Sequence, residues 1–394
     1  MATQLYLRLS ALQFMQYFLW GAWYVTLGSY ILRNMGNDGT QVGIAFGATA
    51  IASSLTPFLM GVLADRHIPA QRLLAILHFL GGLMLLGASQ MDTFGSFYAF
   101  FLPYTLLYAP TFSLNAALCF RHLSDPSKEY PRVRVWGSVG WIVAGILVSI
   151  FAIEESATPM LISALVSFVQ SLYCLSLPHT PPLGARQPGA AAQKWFNPEI
   201  KALFRNRSFS VLVICLALST IPGAFYYSFV NPYLNDIGVG QAAAKMTLGQ
   251  VSEMLFMLLL PWFTLRFPLR YILLSGFIAW GARYAMLALG GTSLMYGSLA
   301  LHGVCFIFTA LAAQIFIDSM TPLSLKSTVQ GFITFLTMGL GTLIGSHLAG
   351  WVVNHFTVNG VRQWEAIWWT PAVLGFVIAA VFGLFFREHA AKEG

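Results

Sequence analysis

Apolar residues occur in this chain as long runs parted by short polar breaks. A helix needs about 20 apolar residues to cross a hydrocarbon layer of about 30 Å. Inside that layer every backbone N–H and C=O must bond within the protein, so runs of this length predict helices. A membrane barrel would instead show segments of about ten residues alternating in polarity, and no such stretch is present. The pattern predicts twelve spans. Six lie near 9–32, 41–63, 70–90, 94–119, 134–152 and 157–178. Six more lie near 208–234, 243–264, 269–289, 294–317, 327–350 and 366–386. The longest polar break separates the two sets. It carries Pro181, Pro182 and Pro188 with Gly184 and Gly189, which is linker chemistry. The expected organisation is a six-helix bundle over 1–178, a linker over 179–207 and a second six-helix bundle over 208–394. The fold class is therefore all-α membrane protein, with twelve transmembrane helices in two six-helix halves.

Composition sharpens this picture. Of 394 residues, 57% are hydrophobic and 9% charged. A soluble domain carries roughly 25% charged residues, so this chain cannot clothe a water-facing surface. The first apolar run is long enough to span and lacks the small-residue cleavage site of a removable leader. Cys119, Cys174, Cys215 and Cys305 all lie inside apolar runs, and none has a CxxC partner. That argues against a disulfide framework and against a zinc site. No cofactor is expected.

The net charge of +7 could suggest nucleic acid, but the basic residues sit in short loops between apolar runs. One set of loops holds Arg66 and Arg72, then Arg121, Lys128 and Arg132, then Arg186, Lys194, Lys201, Arg205 and Arg207. Arg266, Arg270 and Lys326 follow, with Arg8 near the start and Arg387 and Lys392 near the end. The opposite loops hold only Arg33, Lys245 and Arg362. Basic loops stay on the cytoplasmic side, so both termini and the linker are expected there. An even number of spans is then required. The expected partner is the lipid bilayer, with no nucleic acid.

Two bundles joined by a cytoplasmic linker suit a transporter that binds its solute near the bilayer midplane, between the halves. The loop after span two reads Gly61-Val62-Leu63-Ala64-Asp65-Arg66, with Arg72 further on. It resembles the signature loop of the major facilitator superfamily. Arg266-Phe267-Pro268-Leu269-Arg270 echoes it in the second half. The resemblance implies the major facilitator fold and a conformational role for Asp65, Arg66 and Arg72. The alternative is that these residues are ordinary cytoplasmic anchors.

A charge at mid-bilayer costs at least about 2.5 kcal/mol on insertion scales, so such groups line a cavity or find a partner. Glu253 lies near the middle of span eight, the one acid placed at mid-membrane by the pattern. Desolvation disfavours its ionised form, which suits a carboxyl that loads and releases protons. A paired structural Glu is the competing reading. Gln250 precedes it by three residues, on the same helical face. Arg134 stands at the start of predicted span five. Arg134, Ser138 and Trp141 fall at i, i+4 and i+7 and form one stripe that could hold a planar polar solute. Otherwise Arg134 is a loop-end residue reaching for headgroups. Span seven carries Pro222-Gly223 and then Tyr227 and Asn231 on one face. Span ten carries His302 and Phe306 at i, i+4, where a membrane histidine commonly packs helices. Arg283 in span nine is deep enough to need an acid or carbonyls nearby, which favours a structural role. Gln13, Gln16 and Asn115 are either cavity groups or interhelical bonders.

Several segments carry a closer resemblance. Gln16-Tyr17-Phe18-Leu19-Trp20-Gly21-Ala22-Trp23, Tyr130 to Trp141, Gln250-Val251-Ser252-Glu253 and Ser327-Thr328-Val329-Gln330-Gly331 resemble the nucleoside:proton symporter family of the major facilitator superfamily. The resemblance covers nearly the whole chain. It implies a nucleoside site between the halves, formed by Arg134, Ser138, Trp141, Gln250, Glu253 and Phe306. Three departures stand out. Ala224 and Tyr227 replace a span-seven Gln and Asn, His302 replaces a span-ten Tyr, and Ile307 replaces a membrane Asp. The lost Asp removes a candidate proton carrier, and the other changes bear on the choice of solute.

The expected function is secondary active transport by alternating access, with proton-coupled uptake of nucleosides across the bacterial inner membrane by a monomer. Arg134, Ser138, Tyr227 and Gln250 would supply hydrogen bonds, with His302 beside them. Trp141 and Phe306 would offer faces to a flat base, and Glu253 would couple proton to solute. The alternatives are a facilitator or symporter for another polar metabolite, such as a sugar-like compound, and a membrane sensor without transport. An enzyme is not expected, since the chain shows no HExxH and no nucleophile–base pair.

Overall fold

The computed structural model describes residues 3–36, 38–182 and 198–387. Helices follow the predicted spans in order. The first six are Thr3–Tyr24, Gly39–Arg66, Ala70–Ala88, Phe94–His122, Pro126–Ile150 and Thr158–Ser176. Spans seven to nine are Arg207–Asp236, Ala242–Arg266 and Leu269–Leu289, and span twelve is Trp364–Phe385. Span ten runs over Thr292–Met320, with a π-helical turn at Ile307–Leu311. Span eleven begins at Lys326 and ends at His355, with a π-helical segment at Phe335–Gly341. Among the described residues, nine helices are long and apolar enough to cross a membrane by length and composition, which is consistent with twelve spans. Residues 183–197 of the predicted linker lie outside the described residues. Its last part forms a short helix, Pro198–Arg205. A small hairpin pairs Thr357 with Arg362 and Val358 with Val361 between spans eleven and twelve.

Span five corrects one expectation. Its helix starts at Pro126, not near 134, so Arg134 sits two turns inside it. A proline in the first helical turn has no N–H to leave unpaired, and its fixed φ suits the helix. Asp125 O accepts from Lys128 N at 3.2 Å and Glu129 N at 2.9 Å, which closes that first turn.

The chain forms two compact units. The first holds Met1–Gly189 together with Tyr227–Thr247, and the second holds Ala190–Tyr226 with Leu248–Gly394. In the first unit, span one packs on spans five and six, and span three on spans four and six. A Cβ on Gly140 would stand 2.3 Å from the Phe14 carbonyl oxygen, so spans one and five approach at backbone distance. Span six shows what solvent this unit was built for. It buries Ser163, Ser167, Gln170 and Ser171 and exposes Leu165, Val169, Leu172 and Leu175. Polar inside and apolar outside is the reverse of a soluble helix, and it fits a helix facing hydrocarbon.

The buried polar groups of this unit meet one another. Gln16 Nε2 donates to Thr111 Oγ1 at 2.7 Å. Gln16 Oε1 accepts from Gln170 Nε2 at 3.0 Å and lies 3.1 Å from His78 Nε2. Gln13 Nε2 donates to Asn115 Oδ1 at 3.0 Å. Of the two readings open for Gln13, Gln16 and Asn115, the structure shows interhelical bonding.

The second unit gathers Phe209, Leu212, Leu273, Phe277, Ile317 and Phe382 into its apolar core. Spans nine and twelve pack along their lengths. Arg66 and Arg72 are exposed at the end of span two and the start of span three. The side chain of Asp65 lies outside the described residues.

Candidate transport site

Three spans of the second unit converge on one charged cluster. Ser252 ties span eight to span ten: its Oγ donates to Ala300 O and accepts from Gly303 N. Gly249, one turn earlier, lets the helices close. A Cβ there would meet Tyr226 Oη at 3.0 Å and His302 Cγ at 3.1 Å. This register sets Glu253 beside His302, with Glu253 Oε2 3.8 Å from His302 Nε2. The other ring nitrogen, Nδ1, lies 3.0 Å from Arg283 Nη1. A guanidinium has donors and no acceptor, so Nδ1 accepts and the neutral ring carries its proton on Nε2, toward Glu253.

Aromatic rings complete the enclosure. Arg283 Cζ stands 4.2 Å above the Tyr226 ring and 5.6 Å from the rings of Trp280 and Tyr284. Ring faces hold a cation where water cannot. His302 lies between Tyr226 at 4.6 Å and Phe306 at 4.5 Å, measured between ring centroids. Arg283, His302 and Tyr226 are fully buried, whereas the Glu253 side chain is 42% exposed. The carboxylate is thus the cluster's outlet. It can exchange a proton or meet a solute while the groups behind it stay dry. Gln250 sits half-buried one turn before it.

The predicted residues of the first unit form a separate aromatic face. Arg134 Cζ lies 4.0 Å above the Tyr17 ring. Trp141 is nearly buried, edge-on to Trp20 at 4.9 Å and 6.0 Å from Tyr24. Tyr24 in turn lies 5.4 Å from Tyr227. Ser138 is half-buried on the same stripe as Arg134. The structure therefore brings Glu253, His302, Phe306 and Arg283 together in one unit. It places Arg134, Ser138, Trp141 and Tyr227 in the other. Span ten turns His302 toward span nine, where its imidazole and the ring faces of Tyr226, Trp280 and Tyr284 meet Arg283.

Sequence reasoning missed two groups. The i, i+4 spacing in span seven picks out Tyr227 and not its neighbour Tyr226, and no sequence signal ties Tyr226 to Arg283 on another helix. Glu154, in the turn after span five, lies outside the apolar runs and so carries no depth signal. It is 7% exposed and accepts from Asn231 Nδ2 at 2.8 Å, Ala243 N at 3.0 Å and Ser149 Oγ at 2.5 Å. Ser29 Oγ donates to Asn231 Oδ1 at 2.6 Å. Asn231, grouped with Tyr227 by spacing, thus serves this network.

Apolar outer faces, helices of membrane length and a buried ionisable cluster with one exposed carboxylate define a multi-pass membrane transporter of the major facilitator type. The chain belongs to the nucleoside H+ symporter family, whose model matches residues 1–391. YegT of Escherichia coli strain K12 is 34% identical over 97% of this chain and 93% of its own length. The nucleoside permease NupG of the same strain is 30% identical over 97% of this chain and 96% of its own length. A crystal structure of nucleoside transporter NupG aligns with a TM-score of 0.89 and 28% identity, covering 98% of this chain and all of that one. The family is one of transporters, not of enzymes.

Proposed function

We propose that this chain takes up nucleosides together with protons by alternating access, with Glu253 as the proton-coupling group. The observation that carries this reading is the partly exposed Glu253 carboxylate set beside a fully buried His302 and Arg283, in a member of the nucleoside H+ symporter family. A solvated carboxylate over a dry cation can be neutralised by a proton from water without disturbing the groups behind it. Arg134, Ser138, Tyr227 and Gln250 would hydrogen-bond the solute, and Trp141 and Phe306 would stack on its base. Asp65, Arg66 and Arg72 would serve the conformational change. The working form is a monomer in the bacterial inner membrane, with bundles 1–178 and 208–394, linker 179–207 and both termini cytoplasmic.

Uptake of radiolabelled uridine by a transport-deficient cell tests this. The wild type concentrates uridine and loses that ability with a protonophore. Glu253→Gln binds uridine but no longer concentrates it. Unchanged proton-driven accumulation in that variant removes Glu253 from the mechanism.

A further inference from the structure

We propose that Arg33, Ser29, Asn231 and Glu154 form an outer gate, a polar clasp between the ends of spans one and five and those of spans seven and eight that parts in every transport cycle. This rests on the reading of the chain as an alternating-access nucleoside carrier and goes further, naming the contacts that close one of its two entrances.

The clasp is built where span one gives way to span two, span five to span six and span seven to span eight. Chain order puts these three connections at the end opposite the linker. With both termini cytoplasmic, as proposed, that end faces outward. All the parts belong to the first unit, which takes in Tyr227–Thr247 from spans seven and eight. Arg33, one of the few basic residues in the outer loops, holds two acids at once. Its Nη2 meets Asp236 Oδ1 at 2.6 Å and its Nε meets Glu155 Oε1 at 3.2 Å. About one turn deeper, Asn231 Oδ1 accepts from Ser29 Oγ at 2.6 Å and from Asn235 Nδ2 at 3.2 Å. The Asn231 amide donates to Glu154 Oε2 at 2.8 Å, and Glu154 Oε1 accepts from Ala243 N at 3.0 Å. Both layers therefore bridge spans one and five to spans seven and eight.

Three observations mark this as a joint that opens. First, its outermost pairs stand partly in water: the Arg33, Glu155 and Asp236 side chains are 39, 42 and 17% exposed. Exposed ion pairs hold weakly, and water replaces them as the helices part. Second, glycines bring the backbones together without interlocking side chains. A Cβ on Gly28 would overlap the Ser228 carbonyl oxygen, and one on Gly145 would stand 3.0 Å from Thr247 Cγ2. Such faces separate with no side chain to disengage. Third, the outer end of span one is jointed to the rest. Its regular helix stops at Tyr24, resumes over Leu27–Ser29 and passes into a π-helical turn over Tyr30–Asn34. Thr26 Oγ1 bonds back to Ala22 O at 3.1 Å, a contact that bends helices. Ser29 and Arg33 ride on that short outer piece.

The clasp also stands over the aromatic face assigned to the solute. Tyr24 lies 5.4 Å from Tyr227 and 6.0 Å from Trp141. Ser29, Asn231 and Ser149 follow these three residues on the same spans, one to two turns further out. A solute arriving from outside reaches that face by passing between Ser29 and Asn231. While those two are bonded, the way is shut.

The experiment uses the full-length protein in cells, with Arg33→Cys and Asp236→Cys made singly and together. A membrane-impermeant bis-methanethiosulfonate, whose spacer replaces the two lost side chains, ties the pair. Uridine uptake by the double variant is expected to be lost on treatment and restored by dithiothreitol, with the single variants unaffected by the reagent. The tied protein, once purified, should still gain thermal stability from uridine, which shows it folded and able to bind. A second measurement needs neither the double variant nor uridine. Ser29→Cys sets a thiol where the native side chain is 1% exposed. A membrane-impermeant maleimide added outside is expected to label it, against a wild-type background in which all four cysteines are buried.

Uptake that survives the tie, or a Ser29→Cys thiol that stays unlabelled, would show a permanent joint and overturn the proposal. A wild type that takes up no uridine while Ser29→Cys still labels would remove the solute assignment and leave the gate standing.

Discussion

Glu154, buried in the turn after span five, accepts the backbone N–H of Ala243 at 3.0 Å, in the first turn of span eight. The first N–H groups of a helix lack intrahelical partners, and an anion placed there satisfies them and the helix dipole together. Ser149 Oγ takes the next one, Ala244 N, at 2.8 Å. Replacing Glu154 with Ala orphans this N–H, the Asn231 amide and the Ser149 hydroxyl. The expected loss is about 2–3 kcal/mol of stability. Glu154→Gln keeps one acceptor oxygen and should lose less. Melting of the purified variants in detergent checks both. Equal, negligible losses would mean that this carboxylate is dispensable.

Gln16 joins span one to spans three, four and six through His78, Thr111 and Gln170. Gln16→Leu fits the volume but leaves those partners without their shared acceptor and donor. It should lower stability by about 2 kcal/mol. A double change that also makes His78 apolar should cost less than the sum of the two single changes, since partners removed together leave fewer groups unpaired. Additive losses in the melting assay would contradict a connected network.

Two glycines make a paired test. Gly140→Ala pushes a methyl to 2.3 Å from the Phe14 carbonyl, which must part spans one and five. A cost of about 3 kcal/mol and a sharp fall in folded yield are expected. Gly61 has nothing within 4 Å of the equivalent position. Gly61→Ala should be neutral or gain up to about 1 kcal/mol from helix propensity. Size-exclusion profiles and melting of both proteins distinguish the outcomes.

Arg134 holds its guanidinium 4.0 Å above the Tyr17 ring. A lysine keeps the charge but loses the planar fork and the stacking. If Arg134 grips the solute, Arg134→Lys should weaken uridine binding about tenfold, worth roughly 1.4 kcal/mol. Calorimetric titration of the purified protein reads this directly. Unchanged affinity would return Arg134 to a headgroup-facing role.

Much of the architecture was visible in the linear pattern. Spans nine and twelve start and end within two residues of their predicted limits, because the length of an apolar run is set by the thickness it must cross. The start of span five was not visible. Polar residues such as Lys128 and Glu129 extend a helix beyond the hydrocarbon, and hydropathy does not see that extension. Glu253 stood out because depth alone makes an acid costly. The company it keeps did not stand out. Arg283 and His302 are 19 residues apart on different helices, and no spacing rule links them.

The amino-acid order alone determined that the chain is built of helices of membrane length and which ionisable groups lie within them. Each follows from the cost of placing polar groups in hydrocarbon, a property of one segment at a time. Only the tertiary structure decided which deep groups meet. A helix that is apolar on nearly every face carries almost no information about its rotation, so packing against its neighbours sets it. That rotation turned His302 toward Arg283 and Glu253, and Gln16 toward His78.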